Sequence, residues 1–543
     1  MAIGPVVFLS VFFLYPIGSI LLRSFGNDGL SVDPFVTALT DSYYLGRIWF
    51  TVWQAAASTV LTLAIGLPMA YLFARHHFPG KTILKALATL PFIMPTIVVA
   101  MGFIALLGPQ GLVNTTLSGL FGPDAPQLQV TNTLTIIFLA HTFYNYAIVV
   151  RIVSAFWSNL SPAFSESAAM LGAGRIRTFT RVTLPLLTPS LLSSAALVFV
   201  FSFTSFGVVL ILGGPSFATL EVSIYELTVR LFRLDIAGTL ALVQLVFTSA
   251  SLLVYARLQA RGAIPITFLP VEVGVRNARD RKGVVAAAAI AMGILVALSP
   301  LLALVEQAVS SSDGYSLDHF KGLFTDDSGS YFHLSPLIVM WNSIRFALAS
   351  MVIALAVGTT ASYVIAKQGG RSGVTDALFM APLGISAVTL GFGFLVAFNR
   401  WPIDLRASWL MLVVAHSLVA YPFVIRSVLP VLRGMPPHLR ESAALLGATP
   451  LKIFLYVELP ILSRALLVGA TFAFAVSMGE FGASLLLVRP EFTTIPVAIF
   501  RLLGQPGESN IGQALAMSTL LMAVVTLGFV MIERFRYRNV GGF

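Results

Sequence analysis

Pro162-Ala-Phe-Ser-Glu-Ser-Ala-Ala-Met-Leu-Gly-Ala173 returns 275 residues later as Pro437-His-Leu-Arg-Glu-Ser-Ala-Ala-Leu-Leu-Gly-Ala448. From 162 to 187 against 437 to 462, 13 of 26 positions are identical. The same shift aligns 139–227 with 414–502 without a gap, setting His141 on His416, Tyr146 on Tyr421, Phe206-Gly207 on Phe481-Gly482 and Pro215 on Pro490. Earlier in each half the shift becomes 291 to 292, and Gly66 matches Gly358, Tyr71 matches Tyr363, Pro91 matches Pro382 and Gly102 matches Gly393. Two unrelated apolar helices would match Leu with Ile, but would not reproduce Pro, Gly, Glu and His in register. The chain is therefore two copies of one unit.

What lies between these polar landmarks is apolar. Of 543 residues, 57% are hydrophobic and 10% charged, and the mean hydropathy is +0.90. A soluble domain carries about 25% charged residues, so this chain cannot clothe itself in a solvated surface. A hydrocarbon core of about 30 Å needs about 20 apolar residues per crossing. Twelve stretches qualify, near 2–22, 49–74, 86–107, 134–157, 190–212, 236–256, 284–309, 340–366, 375–398, 409–431, 465–488 and 513–532. The expected fold is an all-α polytopic membrane protein, with about twelve transmembrane helices in two parallel pseudo-symmetric halves. The halves are parallel because each copy has an even number of spans, five in the matching core and one leading helix. A pore between them would lie on an axis along the membrane normal.

The net charge of +10 is a topology signal. With the N-terminus cytoplasmic, 23 of the 33 Lys and Arg fall on cytoplasmic segments, while the far-side loops carry Asp28, Asp33, Asp41, Asp124, Asp313, Asp318, Asp326 and Asp327. This positive-inside pattern places both termini in the cytoplasm and removes the reason to expect a nucleic-acid partner. The first span has no basic head and reads as a retained helix rather than a cleavable signal. Domain edges follow: a leading helix and far-side loop over 1–48, a first unit over 49–258, a linker with the seventh helix and its far-side loop over 259–339, a second unit over 340–533, and a basic tail over 534–543. The chain has no cysteine, which excludes disulfides and thiolate sites.

The repeated loop has a readable local geometry. Pro162 and Pro437 suit a helix's first turn, and Glu166 and Glu441 sit early in that helix, where its dipole favours a carboxylate. Small residues follow, Ala168-Ala169 and Ala443-Ala444, then Gly172 and Gly447 as natural stops. Thr449-Pro450 reads as an N-cap with proline after it. Phe179 with Val182, and Phe454 with Val457, form an apolar ridge on a second short helix. Pro185 and Pro460 are expected to end that helix before the next span. The product is a helix–Gly–helix elbow between the fourth and fifth spans of each half.

Glu-x-Ala-Ala, two residues, Gly and a spaced Leu-Pro resemble the EAA loop of binding-protein-dependent ABC importer permeases of type I. Ser167 and Ser442 stand where Ala is commonest in that family. The resemblance covers about 49–256 and 340–532, and the fused form is similar to thiamine and iron(III) importer permeases. It implies that Glu166, Ala168, Ala169, Gly172, Phe179, Pro185 and their counterparts Glu441, Ala443, Ala444, Gly447, Phe454, Pro460 form coupling loops. Each loop would dock on one of two copies of an ABC ATPase subunit. It further implies an extracytoplasmic substrate-binding protein, a multi-pass place in the cell inner membrane, and alternating access. The segments Phe206–Pro215 and Thr219–Tyr225 look most like the thiamine kind, as do Gly479–Gly482 and Phe492–Phe500. Thiamine is the first expectation for the cargo, with iron(III), a polyamine or an anion as alternatives.

No Gly-x-x-x-x-Gly-Lys-Ser/Thr loop is present to cradle phosphates, no His-Glu-x-x-His pair to hold a metal, and no catalytic cluster. The chain is read as non-catalytic and free of cofactors, with ATP and Mg on the partner. Ionisable residues inside spans are functional hypotheses. Glu480, in the expected eleventh span, and its counterpart Ser205 mark a possible translocation path; the alternative is an interhelical bond near the span's outer end. An ion-coupled secondary transporter would need several mid-membrane acids, and only Glu480 answers that description here.

Overall fold

The computed structural model describes residues 3–25, 31–76, 78, 80–262, 281–311, 314–324, 335–368, 372–400, 403–404 and 408–537. Residues 263–280, within the segment expected over 259–339 to open as a linker, and the last residues of the basic tail lie outside these. Among the described residues, eleven helices are long and apolar enough to cross a membrane, or twelve when one bent pair is taken as a single span. They are Ile3–Ser24, Ser42–Arg75, Thr96–Phe121, Leu134–Ser158, Arg175–Phe203 and Leu234–Val254 in the first half. In the second are Gly283–Val309, Pro336–Lys367, the pair Leu378–Gly384 with Ala387–Ala397, Trp409–Gly434, Pro450–Met478 and Glu508–Met531. We number them one to twelve. The only strands among the described residues are two short hairpins in loops. The all-α polytopic fold is as expected.

Duplication is visible in the packing. A Cβ built on Gly66 would lie 2.8 Å from Val149 Cβ, and one on Gly358 would lie 2.7 Å from Val424 Cβ. Val149 and Val424 are themselves equivalent, so spans two and four meet as spans eight and ten do. In lipid no hydrophobic effect draws helices together, and small residues supply the close approach that dispersion needs. The leading helices cross over: Gly102 of span three abuts Pro300 of span seven, while Gly393 of span nine abuts Pro16 and Ile20 of span one. Each half is thus clasped by the other half's leading helix.

Three expectations are corrected. The run expected unbroken over 86–107 is divided between two helices, Lys81–Ile93 and Thr96–Leu107, and span three begins only at Thr96. Pro95 has no N–H and forces Met94 out of the helical region, to ψ 139°. Its equivalent, span nine, bends by 106° at the matching place, where the Ser386 hydroxyl caps the new helix by accepting from Val388 and Thr389 N–H. Secondly, spans five and eleven end earlier than expected, at Phe203 and Met478. The apolar run that continues from each is a separate short helix, Gly207–Leu212 or Gly482–Leu487. Composition alone could not divide one apolar run from two. Thirdly, Pro185 and Pro460 do not end the elbow's second helix. A π-turn over Phe179–Thr183, and another over Phe454–Glu458, carries the helix through into the span. Leu184 N–H reaches back five residues to Phe179 O, as Leu459 does to Phe454. The wider turn makes room for the proline ring.

Candidate functional site: twin elbows and a cavity between the halves

Each elbow begins with a short helix, Ala163–Met170 or Pro437–Leu445, with Glu166 and Glu441 exposed. Gly172 and Gly447 take φ of +80° and +81°. Around them the chain closes in two ways: Gly172 donates to Ala169 O and Ala173 to Ala168 O; Gly447 donates to Ala444 O and Ala448 to Ala443 O. The paired alanines of each loop thereby supply the carbonyls of a Schellman cap. Thr449 caps the second elbow's next helix as expected, accepting from Lys452 N–H. A Cβ at Gly172 or Gly447 would touch nothing within 4 Å, so only the left-handed backbone demands glycine. Gly→Ala at either site will loosen its elbow by about 1 kcal/mol, read as faster amide exchange at Ala173 or Ala448. Unchanged exchange would mean that the cap does not hold the elbow.

The tips of the elbows are apolar and bare. Met170 and Leu171 are 90% and 88% exposed, and their equivalents Leu445 and Leu446 are 89% and 88% exposed. Behind the tips the anchors differ. In the first half Phe179 stacks on Trp157 at 6.3 Å, and Trp157 meets Tyr71 at 5.2 Å. In the second half Phe454 meets Tyr363 at 6.3 Å, but Tyr363 also donates to Glu458 at 2.5 Å, and Glu458 pairs with Arg440. Thr183 and Ser165 stand at the equivalent first-half positions, so the first elbow is held by rings and the second by charge as well. Arg440 and Glu458 were missed in sequence because a three-residue cluster spread over spans and loop leaves no local pattern.

At the interface of the halves the four helix breaks converge on one cavity of about 270 Å³. Its wall includes Met94–Thr96 and Thr204–Val208 of the first half, with Ser386–Val388 and Gly479–Gly482 of the second. Irregular backbone at membrane depth is tolerated where it lines a cavity. Phe206 and Phe481, equivalent residues, stack on each other at 5.6 Å. Each also meets its own half's second ring, Tyr225 at 5.6 Å and Phe500 at 5.4 Å, again equivalents. The pseudo-twofold axis therefore runs through a four-ring ladder.

Ser205 and Glu480 both line this cavity, so the structure does bring them together. Glu480 lies beyond the end of span eleven, in the break that follows it. It is 6% exposed and accepts from Ala483 N–H, Ser484 N–H and Ser484 Oγ, each at 2.8 Å. His416 Nε2 stands 3.2 Å away. The carboxylate thus caps the Gly482–Leu487 helix at the edge of the cavity. A second buried carboxylate was overlooked. Glu221 is fully buried and accepts from Gln244 Nε2 and from Ser386 Oγ of the other half. Gln244 accepts in turn from Thr389. A lone acid between Leu220 and Val222 was the signal; a far-side loop assignment hid it.

Two repeated halves of apolar helices around an interfacial cavity are an arrangement suited to a transport permease. Residues 62–311 match the profile of the family of binding-protein-dependent transport system inner membrane components. The chain is an importer permease for a small solute, and a multi-pass inner-membrane protein. It is 27% identical over 526 residues to the thiamine transport system permease protein ThiP of Escherichia coli, spanning 94% of this chain and 92% of that one. It is 28% identical to the protein of that name from Salmonella typhimurium, over 93% of this chain and 91% of that one. A probable ABC transporter permease of Sinorhizobium fredii is 24% identical over 90% of this chain and 87% of its own. A solved bacterial ABC transporter involved in alginate import superposes with a TM-score of 0.41 at 20% identity, over 48% of this chain and 93% of that one.

Proposed function

We propose that this chain forms the path of an ATP-driven thiamine importer, with both termini in the cytoplasm. Two copies of an ATPase subunit, which hold ATP and Mg, dock on the two elbows, and an extracytoplasmic binding protein delivers the solute. The observation that carries this is the matched pair of exposed apolar tips, Met170-Leu171 and Leu445-Leu446. Isolated bare apolar residues need no explanation, but an exposed pair repeated at equivalent positions marks a contact surface. Because each elbow's second helix continues into its span, a push that reaches that helix passes into the span with no break between them. The ring ladder on the axis suits a seal that parts when the halves rock. Thiamine rests on the relatives' names and on a cavity rimmed by Phe92, Phe201, Phe423 and Phe472 beside the Glu480 carboxylate, which favours an aromatic cation.

The test is uptake into proteoliposomes holding the permease, the ATPase and the binding protein encoded with it. Radiolabelled thiamine will accumulate only with ATP inside the compartment that holds the ATPase, and excess iron(III) will not compete. Uptake driven by an ion gradient without the ATPase would overturn the reading, as would ATP-driven uptake of iron(III) in place of thiamine.

A further inference from the structure

The two halves present unequal polar groups to the cavity. In the second half His416 is fully engaged: Nδ1 meets Ser477 Oγ at 2.9 Å, and Nε2 meets Ser484 Oγ at 2.8 Å and Glu480 at 3.2 Å. Its first-half equivalent His141 keeps one such bond, from Nδ1 to Ser58 Oγ at 3.0 Å. The residues that would meet its other nitrogen have changed, with Ser205 in place of Glu480 and Val209 in place of Ser484. His141 is 2% exposed and lines the cavity, and its Nε2 has no partner among the described residues.

One turn on, Asn145 is also 2% exposed and also lines the cavity. Its Nδ2 donates to Ser202 Oγ at 3.3 Å, while its Oδ1 has no partner among the described residues. The second-half equivalent is Ala420, with no polar atom to offer. An unpaired buried polar group is costly, and two on one helix face are within reach of one ligand, since side chains four residues apart are neighbours about 5–6 Å apart at Cβ. In the tautomer in which the Ser58 hydroxyl donates to Nδ1, the ring proton sits on Nε2. His141 thus offers a donor and Asn145 an acceptor, side by side.

We propose that the cavity is a solute site of the permease itself, taking one planar nitrogen heterocycle between its aromatic walls, with His141 Nε2–H donating to a ring nitrogen and Asn145 Oδ1 accepting from the amino group beside it. This rests on the thiamine reading, whose solute carries such an aminopyrimidine edge. It goes further in giving the permease a selection step after the binding protein's. Because Ala420 and the engaged His416 offer no matching edge, the pseudo-symmetric cavity holds the solute in one orientation.

The experiment is binding of tritiated thiamine to the permease–ATPase complex in nanodiscs, without the binding protein, competed by thiamine or by oxythiamine. Oxythiamine replaces the amino group by oxygen and reverses the donor–acceptor order of the edge. The wild-type complex will prefer thiamine about tenfold or more, the scale of a lost buried hydrogen bond. Asn145→Ala will bring that preference close to unity, and Asn145→Asp, which keeps the acceptor, will retain it. A merely structural Asn145 would change the amount of folded complex but not the ratio of the two competitors. Equal competition in the wild type, or a preference that survives both Asn145→Ala and His141→Phe, overturns the proposal. Absence of thiamine binding alongside intact ATP-driven thiamine uptake overturns it and leaves the thiamine reading standing. Absence of both removes the two together.

Discussion

Aspartate at Leu171 and Leu446 together will abolish ATP-driven uptake while leaving the permease folded in the membrane. Both residues are 88% exposed and make no core contact, so their change costs the isolated fold little. At a docked surface each becomes a charge forced into an apolar seat. Central interface residues are worth about 2 kcal/mol or more each, so two elbows together cost about 1,000-fold in association. The ATPase will fail to co-purify, and uptake will fall to background. Either single variant will retain the ATPase on its other elbow. Because the second elbow is held by Arg440 and Glu458 as well as by rings, the two single variants need not be equal in effect. Full co-purification and uptake in the double variant would show that the tips are not the docking surface.

Glu480→Ala will be the most damaging single change at the cavity. It removes the acceptor for Ala483 N–H, Ser484 N–H and Ser484 Oγ at once, and takes away one of the two partners of His416 Nε2. Leaving buried donors without their acceptor costs about 1–3 kcal/mol each, a large part of the roughly 5–15 kcal/mol that holds a typical protein folded. The yield of monodisperse protein and its Tm will both fall. Glu480→Gln keeps one oxygen to accept and will lose less. An Ala variant with wild-type Tm and uptake would show that the carboxylate neither caps the break nor serves the path.

Several features of this protein were legible without coordinates because they are local or repetitive. Twelve crossings follow from apolar length against the thickness of a bilayer, and the parallel halves follow from one register shift. Gly172 and Gly447 could be assigned as stops because a helix followed by a left-handed turn is nearly a glycine's signature. Glu166, Ala168 and Ala169, like Glu441, Ala443 and Ala444, lie on the first helix of their elbow, where the local pattern puts them.

What only the tertiary structure decided depends on partners far apart in the chain. Whether Pro185 ends a helix or rides through it depends on a π-turn set six residues before the proline, at Phe179. Where spans five and eleven stop is decided by backbone breaks inside continuous apolar runs, which hydropathy cannot see. Glu221 became a site residue only when the fold brought Ser386 to it from 165 positions away. The freedom of His141 Nε2 was written in the sequence as Ser205 and Val209, yet it meant nothing until span four and the four breaks were placed around one cavity. Periodicity and composition are properties of a segment, and they survive without a fold. A hydrogen bond made or missing across an interface is a property of the assembled pair of halves, and so is the site it defines.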